Sequence, residues 1–270
     1  MTTVLIAMAG LGSRFTESGY ALSKPVIPTT DRRTGRKVPM VVAAALDLPE
    51  IRDPGTRMVL VGRDHHVAAG VDAAIRAHFP SAEFMAIDYT TEGQASTCLV
   101  ARDRIDPAAP LVIGACDNGM AWDAAAFARA RDGADALIFT YRNHDHVLAK
   151  PEAYGWVRVG PDGATVTGMS VKVPISDRPM DDHAVVASFW FRRGVDFLRA
   201  ADRMVAADDR INGEFYVDQA MQHAVDLGMK VRVFEVERYL CWGTPREYEA
   251  WERTIGYWSA FQQGEEWLRP

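Results

Sequence analysis

The first residues able to do chemistry form a glycine loop, Gly10-Leu11-Gly12-Ser13-Arg14-Phe15, directly after the apolar run Thr3 to Ala9. Glycines placed after a buried strand let the backbone pass close to phosphates and aim its N–H groups at them. Three phosphate-binding readings compete. A dinucleotide fingerprint needs a third glycine where Phe15 stands and an acid about twenty residues further on. A Walker A loop needs Gly-Lys-Ser or Gly-Lys-Thr after four intervening residues. Neither pattern is present. The third reading is a triphosphate loop carrying its own cation, Arg14, with a second, Lys24, ten residues downstream before Pro25. The chain has only five lysines against 25 arginines, so a lysine marks a place suited to a compact point charge.

Met8 to Phe15, followed by Ser23-Lys24-Pro25, resembles the signature of the sugar-phosphate nucleotidyltransferases. That family includes glucose-1-phosphate thymidylyl- and uridylyltransferases and the cytidylyltransferases of capsule, phosphocholine and phosphonate pathways. Further segments fall in the family's order, so the resemblance runs from about Val4 to Glu249. It implies that Ala9, Gly10, Leu11, Gly12, Ser13, Arg14 and Lys24 bind the nucleotide. Gly93, Gln94 and Ser96 match the loop along its base and sugar, where an amide can read base edges. Asp117 stands at the family's magnesium position and beside the nucleotide. Asp218 resembles the second metal ligand, with Glu214 as its understudy.

The acceptor side implied by the resemblance is Asn118, Tyr154, Gly155, Lys172, Ser188 and Glu214. The resemblance makes Arg14, Lys24 and Lys172 the expected catalytic cations. Where sugar transferases read Glu-Lys-Pro, Lys172 is kept but Val171 replaces the acid that holds a sugar hydroxyl. The phosphate contact therefore carries over, while phosphorylated alcohols, polyols and phosphonates stay open beside sugar-1-phosphates. The implied reaction is magnesium-dependent transfer of a nucleoside monophosphate, pyrimidine favoured, from a triphosphate to the acceptor's phosphate, releasing pyrophosphate. It would serve NDP-sugar synthesis for capsule or cell-surface polysaccharide. One alternative is a CTP-specific cytidylyltransferase for a non-sugar phospho-alcohol or phosphonate. Another, of a different class, is a non-catalytic nucleotide or sugar-phosphate sensor. A glycosyltransferase typically holds its metal with Asp-x-Asp, and Asp117-Asn118-Gly119 lacks the second acid.

The elements that must position these residues alternate. Strands are expected at Thr3–Ala9, Arg57–Val61, Glu83–Ile87, Leu111–Gly114 and Ala136–Tyr141, with helices at 40–48, 64–78, 94–102 and 122–131. Such alternation predicts an α/β fold, a Rossmann-like, mostly parallel sheet sandwiched by helices. Functional loops then gather at the carboxyl ends of its strands. After about Arg142 a hairpin (156–159 and 165–171, turning at Pro161-Asp162-Gly163) predicts a small inserted β region for the acceptor. Another strand at 185–191, helices at 195–207 and 215–227, and a strand at 230–235 follow. Residues 1–270 thus read as one domain: a nucleotide part to about 142, an acceptor and second-ligand part over 143–240, and a C-terminal helix over 245–265. In that helix Tyr248, Trp251, Ile255, Trp258 and Phe261 recur at steps of three and four, which predicts packing on the body. Trp242-Gly243-Thr244-Pro245 leads into it and is read as packing.

Composition sets the outer limits. The net charge of −6 and the lack of a basic stripe argue against nucleic acid as partner, and no apolar run approaches membrane length. A soluble cytoplasmic enzyme whose partners are a nucleoside triphosphate, a small phosphorylated acceptor and Mg²⁺ is expected, with homo-oligomerisation open. Cys98, Cys116 and Cys241 are too few and too scattered for a disulfide framework or zinc knuckle. His144-Asp145-His146 and Asp181-Asp182-His183 are read as solvated polar loops, the first for want of a third ligand nearby.

Overall fold

The computed structural model describes residues 1–10 and 12–263; Leu11, expected at the nucleotide, lies outside the described residues. The run behind the glycine loop forms β1 (Thr3–Ala7). After it come α1 (Ser13–Glu17), the hairpin β2 (Pro28–Thr30) and β3 (Lys37–Pro39), α2 (Met40–Leu46), β4 (Arg57–Arg63), α3 (Asp64–Ala68), α4 (Val71–Arg76) and β5 (Glu83–Ile87). The chain continues through α5 (Gln94–Val100), β6 (Leu111–Gly114), β7 (Asn118–Ala121), α6 (Ala124–Arg131) and β8 (Ala136–Tyr141). Its second half holds α7 (His146–Ala149), β9 (Gly155–Val159), β10 (Val166–Val171), β11 (His183–Phe191), α8 (Gly194–Ala206), α9 (Val217–Asp226), β12 (Val231–Glu235), β13 (Arg238–Cys241) and α10 (Pro245–Gln263).

The central sheet is mostly parallel, as expected. Strands run in the order β5-β4-β1-β6, all parallel, then β11, β8 and β12. β11 alone runs against its neighbours β6 and β8 in that row. The β9-β10 hairpin attaches at His183 and Ala184, the first residues of β11, so the sheet forks there. That fork is the inserted region foreseen after Arg142.

β1 reads as a continuous apolar run because both of its faces are covered. Leu5 packs among Val59, Ile113, Phe189 and α5, α8 and α9 on one face. Val4 and Ile6 pack among Leu60, Val112 and α2, α4 and α6 on the other. Each side chain fully buried in this way is worth about 1.5–3 kcal/mol. The carboxyl end of β1 is thus a rigid root for the loop it feeds. No helix among the described residues is long and apolar enough to cross a membrane.

Several local expectations need correction. The helix foreseen over 64–78 is two helices, because Gly70 turns left-handed at φ 73° between them. β7 and β13 pair antiparallel and set Cys241 opposite Asn118; at four residues each they are too short to stand out by periodicity. His183 is no loop residue: it is buried at the start of β11, its Nδ1 2.9 Å from Thr140 Oγ1. The aromatic row on α10 packs only at its beginning. Tyr248 meets Phe15 and Tyr20, and Trp251 meets Trp242, whereas Trp258 and Phe261 are 56% and 58% exposed. The helix outruns the body it packs on.

Candidate active site

Phe15 anchors the glycine loop in a small core with Tyr20 and Tyr248, leaving Ser13 and Arg14 facing outward. Gly12 sits at φ 63°, a left-handed turn, and a Cβ there would touch Lys24 Cβ at 3.4 Å. Beside Gly10 there is open space, so the backbone is accessible to a ligand. Ala9 is buried as the loop's root. Lys24 opens a short 3-10 turn ahead of Pro25, and its Nζ donates to Asp117 Oδ2 at 2.5 Å. The pair is partly buried, with side chains 16% and 28% exposed. Burial opposes the Lys24 charge, but the Asp117 carboxylate outweighs it and holds the ammonium above its ordinary pKa.

Asp117 lies just past β6, at the carboxyl end of the sheet, and its backbone carbonyl accepts the Trp242 N–H at 2.9 Å. Across from it stands Gly243, where a Cβ would be 3.6 Å from Asp117 Oδ2 and 3.7 Å from Cys241 Sγ. Burial, helped by Glu247, pushes the Cys241 thiol up to about 12. It is therefore a neutral sulfur, unsuited to magnesium. One accessible carboxylate is nevertheless a fitting protein contribution, since magnesium keeps waters and takes substrate phosphate oxygens. Asp218 has a different companion. It is buried near the start of α9, its Oδ2 only 2.1 Å from where a Gly155 Cβ would stand, and it interacts with Lys172. Burial raises its pKa, and Lys172 partly offsets this. Of the two expected ligands, Asp117 stands in an ion pair with Lys24, whereas Asp218 feels the charge of Lys172 without a salt bridge to it.

Lys172 is held at φ 63°, an uncommon backbone state for a lysine. Its N–H donates to the Tyr154 carbonyl at 2.9 Å, and its Nζ donates to the Ala153 carbonyl at 2.5 Å. The ammonium also lies 5.4 Å from the Tyr216 ring centre. Burial lowers its pKa, Arg14 and Lys150 push the same way, and Asp218 and Glu214 oppose them. Lys172 therefore feels the glycine loop's arginine as well as its own segment. Val171 is buried opposite Gly155 in the hairpin register and presents no polar group.

The other residues expected at the acceptor sort into exposed and buried. Tyr154 is half-buried, its hydroxyl donating to the His146 carbonyl at 3.4 Å, and exposed Glu214 accepts from the Tyr216 hydroxyl. Asn118 is turned inward, its amide donating to the Val186 carbonyl at 2.8 Å. Ser188 is fully buried in β11.

In the segment expected along the base, Gly93 stands at φ 109°, and a Cβ there would lie 2.5 Å from the Phe215 carbonyl oxygen. Only glycine fits. Phe215 N–H donates to the Glu92 carbonyl at 2.7 Å, and Ala95 N–H donates to the Phe215 carbonyl at 2.9 Å. Gln94 begins α5 half-exposed, while Ser96 donates its hydroxyl to the Glu92 carbonyl at 3.4 Å. Sequence reasoning missed Tyr216, Cys241 and Gly243 as neighbours of the charged groups. Gly243 lay inside a segment read as packing, and only pairing of β13 with β7 brings it to Asp117. The structure also corrects the reading of His144-Asp145-His146. Both rings are half-buried, their donor atoms and an Asp145 oxygen lie within 4.8 Å of one another, and Glu247 reaches His146 from α10.

No family model matches the chain, and no curated protein matches it by sequence. Solved structures do match. The nucleoside-diphosphate-sugar pyrophosphorylase from Vibrio cholerae RC9 is 18% identical with a TM-score of 0.72, covering 93% of this chain and 99% of that one. The inositol-1-phosphate CTP transferase from T. maritima is 14% identical with a TM-score of 0.66, covering 94% and 96%. A UDP-glucose pyrophosphorylase complexed with UDP-glucose is 14% identical with a TM-score of 0.69, covering 96% and 99%. The chain has the fold these proteins share.

Proposed function

We propose that the chain is a magnesium-dependent nucleotidyltransferase, moving a nucleoside monophosphate from a triphosphate, pyrimidine favoured, onto the phosphate of a sugar-1-phosphate or related phosphate or phosphonate monoester. The observation that carries this is the Lys24–Asp117 pair beneath the glycine loop, at the sheet's carboxyl end, with Lys172 near enough to Arg14 for their charges to interact. Proteins sharing the fold bear names of this chemistry, a pyrophosphorylase and a CTP transferase among them.

The acceptor phosphate is already an anionic nucleophile, so no covalent enzyme intermediate is required. The difficulty is to bring two anions together and absorb charge on the leaving group, which is a task of positioning and electrostatics. Lys172 would hold the acceptor phosphate in line with the α-phosphorus. Lys24 would meet the α-phosphate, and Arg14 with the Gly10–Ser13 backbone would receive the charge growing on pyrophosphate. Gly93 and Gln94 would lie along the base. Magnesium held by Asp117 and phosphate oxygens would make the α-phosphorus more electrophilic. Asp218, the other expected ligand, would complete the metal site from α9 or, through its charge, favour the ammonium form of Lys172.

A pyrophosphate-release screen tests the reading, with CTP, UTP, dTTP, ATP and GTP each paired with a panel of phosphate monoesters and phosphonates. Release that needs both substrates and magnesium supports it. Binding of both without release would make the protein a sensor, and release of a nucleoside diphosphate would make it a glycosyltransferase. The apolar Val171 at the acceptor segment favours a cytidylyltransferase-type, non-sugar acceptor as the second reading.

A further inference from the structure

We propose that His144, Asp145, His146 and Glu247 bind a divalent transition-metal ion of the zinc class, separate from the magnesium assigned to Asp117. The His-x-His pair stands on the turn into α7, and the donor atoms of His144, Asp145 and His146 all lie within 4.8 Å of one another. His146 Nδ1 is buried and has no hydrogen-bond partner among the described residues. The nearest carboxylate oxygen recorded for it is Glu247 Oε1, at 3.9 Å. Glu247 is itself held in place: its Oε2 accepts from Thr244 Oγ1 at 2.8 Å, leaving Oε1 for His146. An unpaired ring nitrogen, a second imidazole and carboxylate oxygens form a donor set suited to zinc, whereas magnesium prefers oxygen alone.

Zinc bonds of about 2.0–2.2 Å require the donors of His144, Asp145 and His146 to draw in by roughly an ångström, a rotamer-scale change, and Glu247 to swing in beside His146. His144, His146 and Glu247 also line a pocket of about 810 Å³, with Tyr141, Tyr239, Cys241 and Trp251 among its walls, so water can complete the coordination. A bound ion would tie the segment after β8 to the first turn of α10. That segment runs directly into Tyr154 and Gly155, and α10 follows Gly243, which faces Asp117. The ion would be a staple between the two walls of the site rather than a participant in the reaction.

The test is direct metal binding to the full chain. Protein stripped with chelator is titrated with zinc against a chromophoric competitor in excess magnesium, using wild type, His144→Ala/His146→Ala, Glu247→Gln and the exposed control His78→Ala. The expected result is one zinc per chain, undisturbed by magnesium, and a higher Tm on zinc addition. Even supporting partners of metal ligands cost about 10–100-fold in affinity, so the double variant should lose at least tenfold, Glu247→Gln should weaken binding, and His78→Ala should change nothing. Cobalt(II) absorption of the wild type decides the matter should the double variant fail to fold, through strong visible bands of a tetrahedral nitrogen-oxygen site. Zinc affinity equal in wild type and variants, displacement by magnesium, or weak octahedral cobalt bands would each overturn the proposal.

Discussion

Gly155→Ala tests the coupling between the acceptor hairpin and α9. Its new Cβ would stand 2.1 Å from Asp218 Oδ2 and 3.3 Å from Val185 Cγ2, and real Cβ contacts essentially never fall below 3.0 Å. The carboxylate must therefore retreat by about 1 Å within a packed interior, an overpacking cost of about 1–3 kcal/mol. Retreat also shifts the Asp218 charge that Lys172 feels, so the acceptor KM should rise while the nucleotide KM holds. Urea denaturation gives the first quantity and steady-state pyrophosphate release the second. Asp218→Ala removes the obstructing carboxylate, so Gly155→Ala/Asp218→Ala should lose less stability than the two single losses combined. The coupling should reach about 0.5–3 kcal/mol, the range for residues in contact. Additivity of the two changes, or a Gly155→Ala protein as stable as wild type, would refute the reasoning.

Arg14→Ala should lower kcat by about 10²–10³, the loss typical of one preorganised charge-stabilising donor, and a pure KM effect would instead make it a uniform nucleotide binder. Asp117→Asn removes the carboxylate beside Lys24, so turnover should collapse and show no recovery at high magnesium, with circular dichroism unchanged; near-normal turnover would place the metal elsewhere. Lys172→Ala should raise the acceptor KM strongly and leave nucleotide binding, measured by calorimetry, nearly intact. The buried His66 accepts the Arg63 N–H on its Nδ1 at 3.0 Å, and burial, then His65 and Arg63, push its pKa down to about 4. The unfolded chain takes up that proton near pH 6.5 and the native one does not. Stability present above pH 6.5 should thus fall by about 2–4 kcal/mol as pH drops to about 4, and His66→Asn should flatten that slope in urea midpoints.

The sheet was legible because buried strands announce themselves: β1, β4, β6 and β8 are apolar on both faces, and no tertiary knowledge is needed to see that. Arg14 stood out as a cation within the glycine loop, and Lys24 as one of only five lysines, ten residues further on. What could not be read were juxtapositions made by distant pairings. Cys241 and Gly243 reach Asp117 only through the β13–β7 pair, and Glu247 reaches His146 only because α10 begins beside the turn after β8. Gly155 carried no local sign that a carboxylate from α9 fills the space of its missing side chain. The exposed end of α10 misled by periodicity, which reports a face and says nothing of how far the partner surface extends.

The clasp between Glu92-Gly93-Ala95 and Phe215 has a consequence for engineering. The stretch proposed to lie along the base is hydrogen-bonded through backbone atoms to Phe215, which sits between Glu214 and Tyr216 just ahead of α9 and Asp218. The two are not independent modules. Grafting residues 91–97 from a relative with another base preference would break the register on Phe215 unless 214–218 travelled with it. Chimeras exchanging both stretches together should stay folded where single-loop grafts precipitate, and a change of base would then shift the acceptor spectrum as a by-product.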